Sequence, residues 1–384
     1  LRFGFPVTEK SEPQVSSRHP ATETIETLLT TAFGAPAEVV RMESFAPWAV
    51  LRAHLADPPG SVIVKWLREH PTGFRTDPRQ VATEWAALDF LAGLGPRLAP
   101  KVYAGDLAAG ILVLEDLSPR SALDDLLRAG GVPGAAPGMW AFVRAIADLH
   151  AATAGRFDAY YAHRASYGPV DAKHDRADPC GPRWPLTRGE LAGLGLALPG
   201  PAEHELAVVE RELTEPGAFL VLTNGDSNPN NFLVDGDDGR IIDFEFAGYR
   251  HALGNLAWLY VPGPAWITVT DPIADGLATA YRQRVAPAMP EAGDDRRFGT
   301  GLAATCLAHA FERLNRFPAV DAREPGDRSR VQLVATLESA AEVAERPYGF
   351  PHLAAWTRRV ASFLRERWPD ADVDFTDYRS YAPR

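Results

Sequence analysis

The sequence predicts an α+β fold of two lobes, a small sheet-rich N-terminal lobe with one main helix and a larger, mostly helical C-terminal lobe. Three observations carry this reading. Five strand-like apolar runs fall before Leu117, with a helical pattern among them. After Leu117 the spacing of apolar residues becomes helical over most of the chain. The length, 384 residues, gives ample material for the cores of one large domain or two lobes.

Residues 1–20 are polar and irregular and read as a flexible arm. Thr22 to Phe33 has helical spacing and stops near Gly34. Strands are expected over Glu38 to Phe45, Ala49 to Leu55 and Ser61 to Leu67, with Asp57-Pro58-Pro59-Gly60 separating the last two. Asp77-Pro78 supplies a helix cap and a first-turn proline for a helix reaching about Gly93. Lys101 to Ala104 and Gly110 to Asp116 read as two more strands, which completes a lobe over residues 21–117. The second lobe, residues 118–384, opens with helical patterns at Ser121 to Arg128 and Ala141 to Ala152. Ala154 to Pro201 is rich in Gly, Pro and aromatics and reads as loop with short helices. Further helices are expected at Glu203 to Glu212, Pro272 to Arg284, Leu302 to Leu314, Arg330 to Ala344 and Leu353 to Arg367. Short strands sit among them at Phe219 to Leu222, Phe232 to Val234 and Arg240 to Asp243.

Composition excludes some functions. A net charge of −11 argues against a nucleic-acid partner, which needs a basic surface. No apolar run reaches the roughly eighteen residues of a membrane span, and the first residues do not read as a signal peptide. Cys180 and Cys306 are too few for a disulfide framework, which points to a reducing, cytoplasmic setting. Lysine occurs only at positions 10, 65, 101 and 173, so a lysine inside a strand is informative.

The stretch "LTNGDSNPNNFLVDGDDGRIIDFEFAGY", Leu222 to Tyr249, carries the chemistry. Asn224-Gly225-Asp226 forms a turn, so Asp226 projects from a loop. "NFLV" returns as a strand, "DGDDG" makes a hairpin turn, and Asp243 closes the partner strand "RIIDFEF". Such a hairpin would bring Asn231 near Asp243. A carboxylate and a carboxamide oxygen make a hard pair suited to Mg²⁺. Asp226 would accept a proton from a substrate hydroxyl. Taken singly, each of these residues is explained as a turn or cap.

The combination D-x-x-x-x-N, hairpin, I-I-D-F resembles the catalytic loop and metal-binding strand of the aminoglycoside phosphotransferase and choline kinase superfamily, which has the protein-kinase-like fold. The resemblance implies an antiparallel N-lobe sheet, with Asp226 as catalytic base and Asn231 and Asp243 as Mg²⁺ ligands. "DFEFAGY" is similar to the choline and ethanolamine kinase version of the strand end. "SVIVKW" places Lys65 where the family has its phosphate-binding lysine, and "VATEWAALDFL" places Glu84 where that lysine has its partner. "GILVLEDL" is similar to the hinge strand, whose backbone near Glu115 to Leu117 would meet the base of ATP or GTP. "VRAIADLHAAT" resembles the following helix, with His150 in a structural role. The similarity spans about Thr22 to Glu345.

Three positions depart from the pattern. Asn224 stands where the family has histidine, and Asn255 where it has a supporting aspartate; the two asparagines would hydrogen-bond instead. "MESFAPWAVL" replaces the glycine-rich phosphate loop with Ser44, Phe45, Ala46, Pro47 and Trp48. An active small-molecule kinase, including a sugar kinase of the same fold, and a weakly active pseudokinase-like nucleotide binder are both compatible with these residues. Family members act on aminoglycosides, other antibiotics, choline, sugars and amino alcohols. Here Trp184, Trp258, Tyr260 and Trp266, with Glu245 and Asp178, are candidates for holding a cationic hydroxyl acceptor, although the aromatics read more readily as core.

Overall fold

The structure, a computed structural model, describes residues 19–45, 49–67, 77–95, 97–263, 268–269 and 272–372. The arm up to residue 18, Ala46, Pro47 and Trp48 of the phosphate loop, and Trp266 lie outside the described residues. The chain divides into two units. One takes the residues up to Arg120 with Asp158–Val170 and Arg240–Ala247; the other takes Ser121–Phe157, Asp171–Gly239 and the chain from Gly248 on.

In the first unit α1 (Thr22–Phe33) stops at Gly34, whose φ of 69° turns its N–H back onto the Thr30 carbonyl. There follow β1 (Val39–Ser44), β2 (Val50–Leu55), β3 (Ser61–Trp66), α2 (Pro78–Ala92), β4 (Val102–Asp106) and β5 (Ile111–Glu115). The strands form one antiparallel sheet in the order β1-β2-β3-β5-β4. Alternation sets its faces: Leu51, Ala53 and Leu55 of β2 and Val62, Val64 and Trp66 of β3 are buried, and the residues between them are half-buried. The buried set joins Ile25 and Leu29 of α1 in a single core, each large side chain contributing about 1.5–3 kcal/mol. Lys65 therefore points to the other face of β3. The Asp77 side chain caps α2 by accepting from the Arg79 N–H, and α2 packs against β4 and β5.

Asp116 ties the end of β5 to β2 and β3. It accepts from Arg52 Nε at 2.6 Å, Ser61 Oγ at 2.7 Å, and the Ser118 N–H and hydroxyl at 3.0 and 2.8 Å. Burial pushes this carboxyl up, but the hydrogen bonds from Arg52, Ser61 and Ser118 outweigh it and hold it at about 2. A depressed carboxylate stabilises the fold above its ordinary pKa of 3.8, and that stability is lost as pH falls through about 2. We expect a loss of about 2 kcal/mol across this window. Urea melts of wild type and Asp116→Asn at a series of pH values check it; equal pH slopes in the two proteins would refute the assignment.

The second unit opens with β6 (Ser121–Ala122) and α3 (Leu123–Thr153), which breaks at Gly131, where φ is 59° and ψ −169°. α4 (Phe157–Ala165) belongs to the first unit from Asp158 on. Then come α5 (Trp184–Gly193), α6 (Gly200–Thr214), β7 (Leu220–Thr223), β8 (Phe232–Asp235), β9 (Asp238–Ile241) and β10 (Gly248–His251). The chain ends in α7 (Ile273–Val285), α8 (Asp295–Leu314), α9 (Phe317–Asp321), α10 (Arg328–Ala344) and α11 (Pro351–Arg367). β6 pairs with β8 and β7 with β10, both antiparallel. Helix α10 packs between α8 and α11. Among the described residues no helix is long and apolar enough to cross a membrane.

Several expectations are corrected. α8 starts at Asp295, well before Leu302, because the Asp294 side chain caps it by accepting from the Arg296 and Arg297 N–H groups. Gly301 inside that helix answers to packing: a Cβ there would lie 2.8 Å from the His251 ring. β9 ends at Ile241, so Asp243 does not close a strand but sits beyond it at φ 65°. Trp184 stacks flat on Phe311 at 4.6 Å, Trp258 packs edge-on against Phe142 at 5.2 Å, and Tyr260 is buried with its hydroxyl on Asp275. These three aromatics are core. Asp178 is exposed, and its carbonyl closes a turn onto Gly181.

Candidate active site

Two clusters gather the residues singled out by the sequence. The first lies in the N-terminal unit. Register places Lys65 opposite Val50 on β2 and Leu112 on β5. Its Nζ donates to both Glu84 oxygens, at 2.6 and 2.8 Å, and to Asp243 Oδ1 at 2.6 Å. Glu84 projects from α2 and is almost fully buried. Its Oε1 also accepts the Phe244 N–H at 3.2 Å, and the Ile241 N–H reaches the Leu98 carbonyl at 2.8 Å. The segment bearing Asp243 is thus fixed on both sides of that residue. A left-handed backbone costs a non-glycine residue about 1–3 kcal/mol, and here the bond to Lys65 and the Phe244–Glu84 bond offset it.

Glu245 joins this cluster rather than an acceptor surface. Oxygens of Glu84, Asp243 and Glu245 lie within 4.8 Å of one another. Glu84, Asp243 and Glu245 offer hard carboxylate oxygens beside the Lys65 ammonium. That donor set fits Mg²⁺.

The second cluster lies in the C-terminal unit. Asp226 is half-buried on the loop after β7. Its carbonyl accepts from Asn224 Nδ2 at 2.7 Å and Asn231 Nδ2 at 3.3 Å. Its Oδ1 accepts from the Asn228 N–H at 3.2 Å and Asn228 Nδ2 at 2.5 Å. Asn228 was not expected from the sequence, although an Asx turn two residues on is a common device. Behind the loop runs a buried chain of donors. The Tyr281 hydroxyl lies 2.7 Å from His150 Nδ1, and His150 Nε2 lies 3.2 Å from Asn255 Oδ1. Asn255 Nδ2 donates to Asn224 Oδ1 at 3.3 Å, and Asn224 donates to Asp226. The acceptors fix the tautomer: Nε2 carries the proton and Nδ1 accepts from Tyr281. Burial, outweighing the Asn255 hydrogen bond, pushes His150 down to about 3, so the imidazole is neutral.

Glu115 ends β5 and Leu117 follows it. The Glu115 carboxylate accepts from Arg97 at 2.7 Å and the Lys101 N–H at 3.1 Å. The Glu115 N–H is taken by the Lys101 carbonyl, and the Leu117 carbonyl accepts the Arg120 N–H.

A sequence model of the phosphotransferase enzyme family (APH) matches residues 52–294, more than half of the chain. The chain belongs to this family. The match covers Lys65, Glu84, Asp226, Asn231 and Asp243, and stops just before α8. With the family the observed architecture is the protein-kinase-like α+β class, a small antiparallel sheet unit with one main helix and a larger helical unit. Among solved structures the chain is similar to a choline/ethanolamine kinase family protein from Mesorhizobium loti, with 16% identity, 83% of this chain and 92% of that one covered, and a TM-score of 0.46. It is also similar to a macrolide 2′-phosphotransferase from Brachybacterium faecium, with 15% identity, coverage of 85% and 99%, and a TM-score of 0.46. A Plasmodium vivax ethanolamine kinase gives 11% identity, coverage of 86% and 83%, and a TM-score of 0.47. No curated protein matches the chain.

Proposed function

We propose that this phosphotransferase moves the γ-phosphoryl group of ATP or GTP to a hydroxyl of a small acceptor. Lys65, oriented by Glu84, holds the α- and β-phosphates. The backbone from Glu115 to Leu117 meets the base. Asp226 takes the acceptor's proton as the acceptor oxygen bonds to the γ-phosphorus and the bond to the departing diphosphate breaks. The proton ends on the Asp226 carboxylate, and the nucleoside diphosphate leaves. Asp243 and Asn231 are the ligands proposed for Mg²⁺, which when bound neutralises charge on the phosphate oxygens. Asn228 aims the Asp226 carboxylate, and the two amides on its carbonyl hold the loop.

The observation that carries this reading is the Lys65 ammonium held by Glu84 and Asp243, with Glu245 beside them. The pseudokinase-like alternative, motivated by Asn224, Asn255 and the phosphate loop, is weakened in its first two motives, because Asn224 and Asn255 bond to each other and Asn224 bonds to Asp226. Two buried cysteines without a bridge agree with a cytoplasmic compartment. The test is release of nucleoside diphosphate from Mg²⁺-ATP and Mg²⁺-GTP with aminoglycosides, choline and other amino alcohols, and sugars. Acceptor-stimulated release is expected; nucleotide binding without any stimulation would return the alternative.

A further inference from the structure

Helix α8, beyond the residues that the family match covers, brings a second set of polar groups to the Asp226 loop. Gly263 marks the approach. A Cβ at that position would lie 3.1 Å from Asn228 Oδ1 and 3.7 Å from His309 Nε2. Asn228 is the residue whose amide holds the Asp226 carboxylate. His309 Nε2 is itself buried and has no hydrogen-bond partner among the described residues. Burial, with the nearby Arg313 charge second, pushes His309 down to about 3 and keeps it neutral. A neutral imidazole with an unused ring nitrogen can donate a hydrogen bond to a ligand.

Arg313 follows one helical turn later, on the same side of α8. Burial lowers its pKa to about 10, while the carboxylates of Glu312 and Asp226 pull it back up and Arg316 opposes them, so it stays charged at neutral pH. Among the described residues no side chain is hydrogen-bonded or ion-paired to it. A guanidinium in such surroundings presents a fork that matches the two oxygens of a carboxylate or phosphate. An ammonium-bearing acceptor placed there would face repulsion, and Trp184, Trp258 and Tyr260 are core.

We propose that His309 and Arg313 are the specificity-determining pair of the acceptor site, binding an anionic oxygen group, a carboxylate or a phosphate, on the molecule whose hydroxyl meets Asp226. This rests on the phosphotransferase reading, so the experiment separates the two. At saturating Mg²⁺-ATP, diphosphate release is measured with hydroxy acids, sugar phosphates, amino alcohols and aminoglycosides. The best acceptor is expected to carry a carboxylate or phosphate, and whether hydroxy acids or sugar phosphates lead tells one from the other. Arg313→Gln should raise that acceptor's KM about 10–100-fold, with the nucleotide KM unchanged, and Arg313→Lys should recover part of the loss. His309→Phe should raise the same KM by a smaller factor. Circular dichroism confirms that the variants fold. A cationic or neutral best acceptor, or an unchanged acceptor KM in folded Arg313→Gln, overturns the proposal and leaves the phosphotransferase reading intact. If no acceptor stimulates release, the phosphotransferase reading fails, and calorimetric titration of the same panel decides this one. Binding of anions that Arg313→Gln abolishes sustains it, and absence of such binding overturns it.

Discussion

Asp226→Asn lowers kcat for acceptor phosphorylation by about 10²–10⁴-fold and leaves the fold and the nucleotide KM unchanged. Asparagine is nearly isosteric with aspartate. Its Oδ1 still accepts from the Asn228 N–H and Nδ2, and the backbone carbonyl keeps its bonds to Asn224 and Asn231. The loop therefore keeps its shape, and only the negative charge and the capacity to take a proton are lost. This separates a base from a turn residue, since a turn residue would survive the exchange with activity intact. Steady-state kinetics with a productive acceptor, beside a thermal melt of each protein, are the measurements. Turnover within a factor of about three of wild type would remove Asp226 from the chemistry.

The second large effect falls on stability. Lys65→Met should cost about 3–5 kcal/mol, the range for stripping a buried ion pair of one partner. Side-chain exposure is 15% for Lys65, 4% for Glu84 and 19% for Asp243, so water screens little of the loss. Without the ammonium, Glu84 and Asp243 lose the donor they share, and their oxygens lie with those of Glu245 within 4.8 Å of one another. Adding Glu84→Gln to the same protein should restore part of the stability by removing one of those charges. Urea melts of wild type, the single variants and the double variant measure the coupling. A Lys65→Met protein as stable as wild type would mean that the cluster does not hold the segment from Arg240 to Ala247 in place.

What the sequence makes legible is local. The alternation in "SVIVKW" shows Lys65 on the face opposite Val62 and Val64, and Asp77 and Gly34 mark helix ends by their own chemistry. What it hides is non-local. β10 contains Gly248, Arg250 and His251 and has no strand signature; it exists because β7, far upstream, offers Thr223 and Leu222 as partners for Gly248 and Tyr249. Trp184 and Trp258 have the same side chain whether they line a cleft or fill a core, and only the rings they meet decide it. The middle of α3 carries Gly131, Pro133 and Pro137, which read as loop, yet helix continues on both sides of a single break. Within the candidate site, the turn residues around Asp226 can be read from the sequence. The left-handed backbone of Asp243 and the meeting of Glu245 with Glu84 cannot, since both depend on where the segment docks. His309 and Arg313 are separated from Asp226 by several helices in sequence, and nothing in their own neighbourhood marks them.

The chain of donors behind the Asp226 loop has one more consequence. Tyr281, His150, Asn255 and Asn224 each hand a proton donor to the next, and the last hands one to the Asp226 carbonyl. None of the four carries a charge: burial pushes the Tyr281 hydroxyl up and the His150 imidazole down. A support built from dipoles has no ionic atmosphere to be screened. Dissolved electrolyte leaves it untouched, whereas charged molecules approaching through water feel the ionic strength. Under the proposed function, a salt effect on turnover would report on the binding of charged substrates, with the support of the Asp226 loop standing outside it.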